Sequence, residues 1–218
     1  MSGPATVLFD LDGVLTSRDT FATLVSRRLT RAPWRLALAL PALPLMALTG
    51  YRPQWRGPVS RYLVRVALLG SDLDGARDEA RRLGREFART PRWLRAAGLD
   101  AARDHLAAGD DVVVLTATEH TLARTLLDEV GLGRARLLAS ALTRAPGGVR
   151  MHPHNYGARK LDALRAAGAP RPWTVMYTDS WADRPTLAEV EQVVLVAPAP
   201  RLLERARKAW PGKVRAIG

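Results

Sequence analysis

Two aspartates, Asp10 and Asp12, stand two residues apart directly after the apolar run TVLF at 6–9, and Gly13 lets the chain turn sharply behind them. A second apolar run, DVVVL at 111–115, ends in Thr116 and Ala117 just ahead of a helical pattern, whose free N–H groups favour an anion. Lys160 opens the amphipathic stretch ARKLDALRAAG. A third run, TVMY at 174–177, passes into TDSWAD, which carries Asp179 and Asp183 four residues apart. Four acids set near one lysine repel one another unless a ligand offsets their charge. A hard divalent cation does this, and Mg²⁺ prefers carboxylate, carbonyl and water oxygens, often shared with a substrate phosphate. Singly, a DxD pair is commonly a solvated turn, a threonine a helix cap and a lysine a surface residue. Their order, each just past a strand or at a helix start, points to one site.

The elements that must position these residues alternate. Compact β-rich runs lie at 6–9, 111–115, 174–177 and 192–196 (QVVLV), with a shorter one at 137–139, and they lack the in–out alternation of half-exposed strands. Helical stretches at 119–130, 158–167 and 185–190 separate them. This β-α-β-α pattern predicts an α/β fold, an open parallel sheet with crossover helices, and such sheets bind ligands beyond the carboxyl ends of their strands. Residues 16–95 interrupt the pattern with helical periodicity alone, at 20–31, 58–69 and 74–88, and read as an all-helical insert after the first strand.

FDLDGVLT, the strand end at Thr116, Lys160 and YTDSWAD together resemble the four motifs of the haloacid dehalogenase-like hydrolase superfamily, and the insert resembles its C1-type cap. The resemblance implies a Rossmann-like core built from 1–15 and 96–218, with 16–95 as cap. It also implies a Mg²⁺-dependent phosphomonoester hydrolase in which Asp10 is the nucleophile and Asp12 the acid and base. Asp10, Asp179 and the main-chain carbonyl of Asp12 would hold the metal; Gly13, Thr116, Ala117 and Lys160 would hold the phosphoryl oxygens; and Asp183 would orient Lys160 or a metal-bound water. Val14, Ala117 and Thr178 depart from the usual motif residues without removing a reacting group. The cap opening, 19–50, is similar to the phosphatidylglycerophosphatase C branch, which implies a phosphatidylglycerophosphate substrate. The alternative is a soluble small-molecule phosphatase of the phosphoserine phosphatase kind. A non-catalytic module that binds polyanions would have no need of Asp12, and no nucleic-acid partner is expected.

Charge and composition bear on the partners. Of the formal +12, the segment 16–95 carries +10, from 16 arginines against six acids. Such a patch suits phosphorylated substrates or an anionic lipid surface. The absence of cysteine and of a signal-peptide pattern predicts a reducing, cytoplasmic setting. Within PWRLALALPALPLMALTG, 33–50, the thirteen uncharged residues between Arg35 and Thr49 include six leucines. They would cover only about 20 Å as helix, too short for a bilayer core of about 30 Å. Breaks are expected at Leu40-Pro41 and Leu43-Pro44. The stretch is then either cap core or a hairpin resting on the inner face of the cell membrane, rimmed by Arg27, Arg28, Arg31, Arg35, Arg52 and Arg56 and anchored by Trp34 and Trp55. His152 and His154 read as part of an exposed hairpin, His120 as a helix-surface residue and Asp19 as a helix cap.

Overall fold

A computed structural model of the chain describes residues 5–48 and 56–218, with the side chains at 43, 46, 47 and 56 left aside. Trp55 and Arg52, and the side chain of Arg56, therefore lie outside the described residues.

The sheet is built from β1 (Thr6–Phe9), β2 (Asp111–Glu119), β3 (Arg136–Ser140), β6 (Trp173–Thr178), β7 (Gln192–Val196) and β8 (Val214–Ile217). Its order is β3-β2-β1-β6-β7-β8, and every neighbouring pair is parallel. Alternate residues explain the lack of polar alternation in the sequence. Val7, Phe9, Val112, Val114, Val175 and Tyr177 face one apolar layer, and Leu8, Val113, Leu115, Met176, Val193 and Leu195 face another. Helices α6 (Ala96–Ala108) and α7 (His120–Glu129) cover the first face; α8 (Ala158–Ala166), α9 (Arg184–Leu187) and α10 (Pro200–Ala209) cover the second. Chain order reverses direction about β1, which puts the ligand-binding crevice at the carboxyl ends of β1, β2 and β6.

Between β1 and α6 the described chain forms helices and no strand: α1 (Thr20–Arg31), α2 (Pro33–Ala39), α3 (Ala42–Leu48), α4 (Arg56–Leu68) and α5 (Leu73–Ala88). Helices α1 to α4 have a small core of their own, made by Leu29, Ala39, Ala42, Val59, Leu63, Val66 and Ala67. α5 belongs elsewhere, because Ala80, Leu83 and Phe87 join the main core with Leu122 and Leu126 of α7. A Cβ on Gly84 would lie 2.7 Å from the carbonyl oxygen of Leu122, so glycine lets the two helices approach. Residue 95 ends the insert in sequence, but the packing changes hands earlier, at α5.

Several sequence expectations change on contact with the structure. Pro41 does end α2, whereas Pro44 sits inside the first turn of α3, where a missing N–H costs no helical bond. The segment around His152 is not a freely exposed hairpin. Strands β4 (Leu142–Ala145) and β5 (Gly148–Met151) pair antiparallel, and Leu142 and Val149 pack with Leu68 and Ala76. The arginine rim is largely spent: Arg28 is buried on Glu79 at 2.8 Å, Arg31 pairs with Glu79 at 3.1 Å, Arg27 pairs with Glu86 and Arg35 donates to the Leu69 carbonyl at 2.8 Å. These bonds tie α1 to α5 and α2 to the end of α4. His120 is exposed, and Asp19 caps α1 by accepting from Ala22 N at 2.7 Å.

Candidate active site

Strand register brings the distant motifs to one edge. Phe9 is level with Val114 on β2 and with Tyr177 on β6, so Asp10, Thr116 and Asp179 leave the sheet side by side. Gly13 turns with φ +80°, and a Cβ there would fall 1.8 Å from Asp179 Oδ2. The carboxylate after β6 thus lies directly against the loop after β1, in space that only glycine leaves open.

Lys160, in the first turn of α8, reaches into this edge. Its Nζ lies 2.8 Å from Asp10 Oδ2 and 2.9 Å from Asp183 Oδ1, and all three groups are nearly buried. Thr178 fixes Asp183 from behind by donating to Oδ2 at 2.7 Å, while the Ser180 N–H donates to Thr178 Oγ1 at 3.0 Å. Burial pulls the lysine toward its neutral form, but Asp10 and Asp183 outweigh it and hold the ammonium above its ordinary range. Burial raises Asp10 well above the usual carboxylate range, with Lys160 opposing and Asp183 adding to the rise. Asp179 is raised by burial and by Asp183, with Lys160 and Arg95 pulling back.

Asp12 has a different environment two residues away. Its Oδ2 accepts from Thr118 Oγ1 at 2.7 Å, and its Oδ1 accepts from Thr20 N at 2.8 Å and from Thr16 Oγ1 at 3.3 Å. Burial, then Asp19, raise its pKa to about 6, against the lowering effect of those donors. Thr116 is fully buried and accepts from Thr118 N at 3.0 Å, which leaves its own hydroxyl hydrogen to donate. Gly13 and Ala117 contribute backbone alone.

The structure therefore brings together Asp10, Asp12, Asp179, Asp183, Thr116 and Lys160, with Gly13 in the turn after β1 and Ala117 within the end of β2. It leaves out the two histidines after β5. His154 stacks on Tyr156 at 6.1 Å, with Nδ1 3.4 Å from Ser140 Oγ. Sequence reasoning missed Thr16, Thr20, Thr118 and the anchoring part of Thr178. Threonine is common in cores, and its spacing carries no signal of its own; TAT at 116–118 was the one visible hint.

Four carboxylates around one buried ammonium leave an excess of negative charge that fits a hard cation. Among the described residues no three acidic or imidazole side chains converge as a closed cage. Asp10, Asp179 and the Asp12 carbonyl offer oxygen donors of the kind Mg²⁺ prefers, and are the groups that would hold it.

The haloacid dehalogenase-like hydrolase family matches residues 7–188. The chain belongs to that family. Among solved structures, a protein of unknown function from Bordetella pertussis Tohama I superposes with a TM-score of 0.71 at 22% identity, over 98% of each chain. A phosphoserine phosphohydrolase-like protein from Francisella tularensis subsp. tularensis SCHU S4 gives 0.61 at 12% identity, over 97% of this chain and 94% of the other. A phosphoserine phosphatase described as a phospho-aspartyl intermediate analogue gives 0.60 at 14% identity, over 99% and 94%. At these identities the likeness is one of fold, and it spans the helical insert as well as the sheet.

Proposed function

We propose that this hydrolase cleaves phosphate monoesters through an aspartyl-phosphate on Asp10, and that its substrate is a small soluble monoester. The observation that carries the reading is the unequal setting of two neighbouring carboxylates. Asp10 is paired with Lys160 at 2.8 Å, while Asp12 is held among threonine donors with its pKa raised to about 6. Burial raises both acids, but only Asp10 has an ammonium against it, which favours its ionised form and gives it the nucleophile's part. Asp12 keeps hydroxyl and amide donors suited to an acid that gives and takes a proton.

The ionised Asp10 attacks phosphorus in line, the bond from phosphorus to the ester oxygen breaks, and Asp12 gives its proton to the departing alkoxide. Asp12, now a carboxylate, takes a proton from the water that attacks the aspartyl-phosphate, which releases inorganic phosphate and restores Asp10. Lys160 and Thr116 donate to the phosphoryl oxygens, joined by backbone at Gly13 and Ala117, and Asp183 keeps Lys160 in place. Mg²⁺ held by Asp10, Asp179 and the Asp12 carbonyl would supply positive charge to the same oxygens. Asp10, Thr116 and Lys160 are each under a tenth exposed, a depth that suits a phosphoryl group on a slim stem. The phosphoserine phosphatase-like neighbours share that fold and are consistent with this class.

A second reading is phosphatidylglycerophosphate at the inner face of the cell membrane, and one observation favours it. In α2 and α3 the small residues Ala39 and Ala42 face inward, while Trp34, Leu38, Leu40, Leu45 and Leu48 stand exposed. A cluster of that kind marks an interaction surface. Among the described residues no helix is long and apolar enough to cross a membrane, so the contact would be peripheral. Against it, four of the six expected rim arginines are already bonded within the protein.

A Mg²⁺-dependent phosphate-release panel tests both readings. Soluble monoesters such as phosphoserine should turn over in the absence of lipid, and EDTA or Asp10→Asn should abolish release. Turnover confined to phosphatidylglycerophosphate in mixed micelles would hand the substrate to the second reading. Full activity in Asp10→Asn would overturn the mechanism.

A further inference from the structure

Thr118 and Thr20 are both fully buried, and each touches Asp12 while coming from different parts of the fold: Thr118 from β2 and Thr20 from the first turn of α1. Thr118 Oγ1 lies 2.7 Å from Asp12 Oδ2, and Thr20 Oγ1 lies 2.8 Å from Thr118 Oγ1. A hydroxyl has one hydrogen and two lone pairs, so the direction of this chain is set by its end. With Thr118 donating to the carboxylate, Thr20 must donate to Thr118.

We propose that Thr118, backed by Thr20, is the positioning residue for Asp12, and that this hydroxyl pair couples the catalytic acid to the first helix of the insert. The proposal rests on the phosphatase reading for the part Asp12 plays, but its geometry stands apart from it. Asp12 is otherwise held at Oδ1 alone, by Thr20 N and the longer bond from Thr16. Loss of the Thr118 hydroxyl leaves Oδ2 buried without a donor, and a buried acceptor without a partner turns toward water or toward another donor. The acid then no longer points where the departing oxygen needs its proton. Thr118 does not touch the reacting atoms; it acts through Asp12.

The test compares Thr118→Val, which keeps the shape and removes the hydroxyl, with Thr118→Ser, which restores it. Two substrates separate positioning from general damage: β-glycerophosphate, whose alkoxide must be protonated to leave, and p-nitrophenyl phosphate, whose phenolate leaves without a proton. The ratio kcat/KM reports the step up to formation of the aspartyl-phosphate, where Asp12 acts as acid. For Thr118→Val it should fall by about tenfold or more with β-glycerophosphate and stay within about threefold of wild type with p-nitrophenyl phosphate, since a placed acid is worth 10²–10⁴ in rate. Thr118→Ser should recover most of the loss. Equal falls on both substrates, or no recovery with serine, would overturn the proposal. A crystal structure of Thr118→Val decides independently of activity: the Asp12 carboxylate should leave its bond to Thr20 N, and an unmoved Asp12 would refute the positioning role. If the wild type released phosphate from neither ester, the phosphatase reading would fail while the structure of the variant still settled the geometry.

Discussion

Buried acids are kept at a cost, and Asp12 shows its size. Its pKa rises from 3.8 to about 6, so between those pH values the folded protein holds a proton that the unfolded chain has lost. Stability contributed by this group is therefore present below pH 4 and lost as pH rises through 6. The shift corresponds to about 3 kcal/mol at neutral pH. Asp12→Asn, which carries no charge to bury, should raise the denaturant midpoint of the metal-free protein at pH 7.5 and give no gain at pH 4. An unchanged midpoint at pH 7.5 would contradict the strained setting of Asp12. At this scale the acids and Lys160 were legible in the sequence, because charged residues at strand ends stand out from an apolar background. The threonines that orient them were not, since Thr118 and Thr20 meet only through the fold, 98 residues apart in the chain.

Among the elements, the parallel strands of the central sheet were readable from their uninterrupted apolar runs, apart from the edge strand β8, whose Val-Arg-Ala-Ile is short, carries a charge and is half exposed. The β4–β5 pair was legible as a hairpin but not its setting, since four-residue strands are too short to show a buried face: it packs on Leu68 of α4 and Ala76 of α5 rather than on the sheet. α5 was legible as a helix, but not its neighbours, because a hydrophobic stripe states that a face is buried without stating against what. Its contact with α7 gives a direct check. Gly84→Ala improves helix propensity by about 1 kcal/mol, yet its Cβ would press on backbone. Overpacking of this kind costs about 1–3 kcal/mol. The substitution should lower the thermal midpoint; a rise would mean that α5 and α7 part easily.

Over the whole molecule, ten of the twelve net positive charges gather in the insert, and the outward leucines of α2 and α3 lie in the same region. Much of that charge is internal to the fold, which the sequence could not show because Glu79 and Glu86 sit about 50 to 60 residues from the arginines they bind. Sedimentation with vesicles containing anionic lipid measures what remains for a membrane. If the second reading of the substrate holds, Leu40→Asp with Leu45→Asp should abolish binding, and wild-type binding should weaken as salt rises. If the protein does not sediment with vesicles at low salt, the soluble-substrate reading stands and the leucines need another explanation.

The central claim is that Asp10 becomes phosphorylated during turnover. Acid quenching of the protein with Mg²⁺ and a monoester substrate, followed by peptide mass spectrometry, tests it most directly. The account predicts a phosphorylated peptide containing Asp10, more abundant in Asp12→Asn with p-nitrophenyl phosphate because hydrolysis of the intermediate loses its base, and absent from Asp10→Asn. Turnover with no phosphorylated Asp10 in either the wild type or Asp12→Asn, or a phosphate carried on another residue, would contradict it.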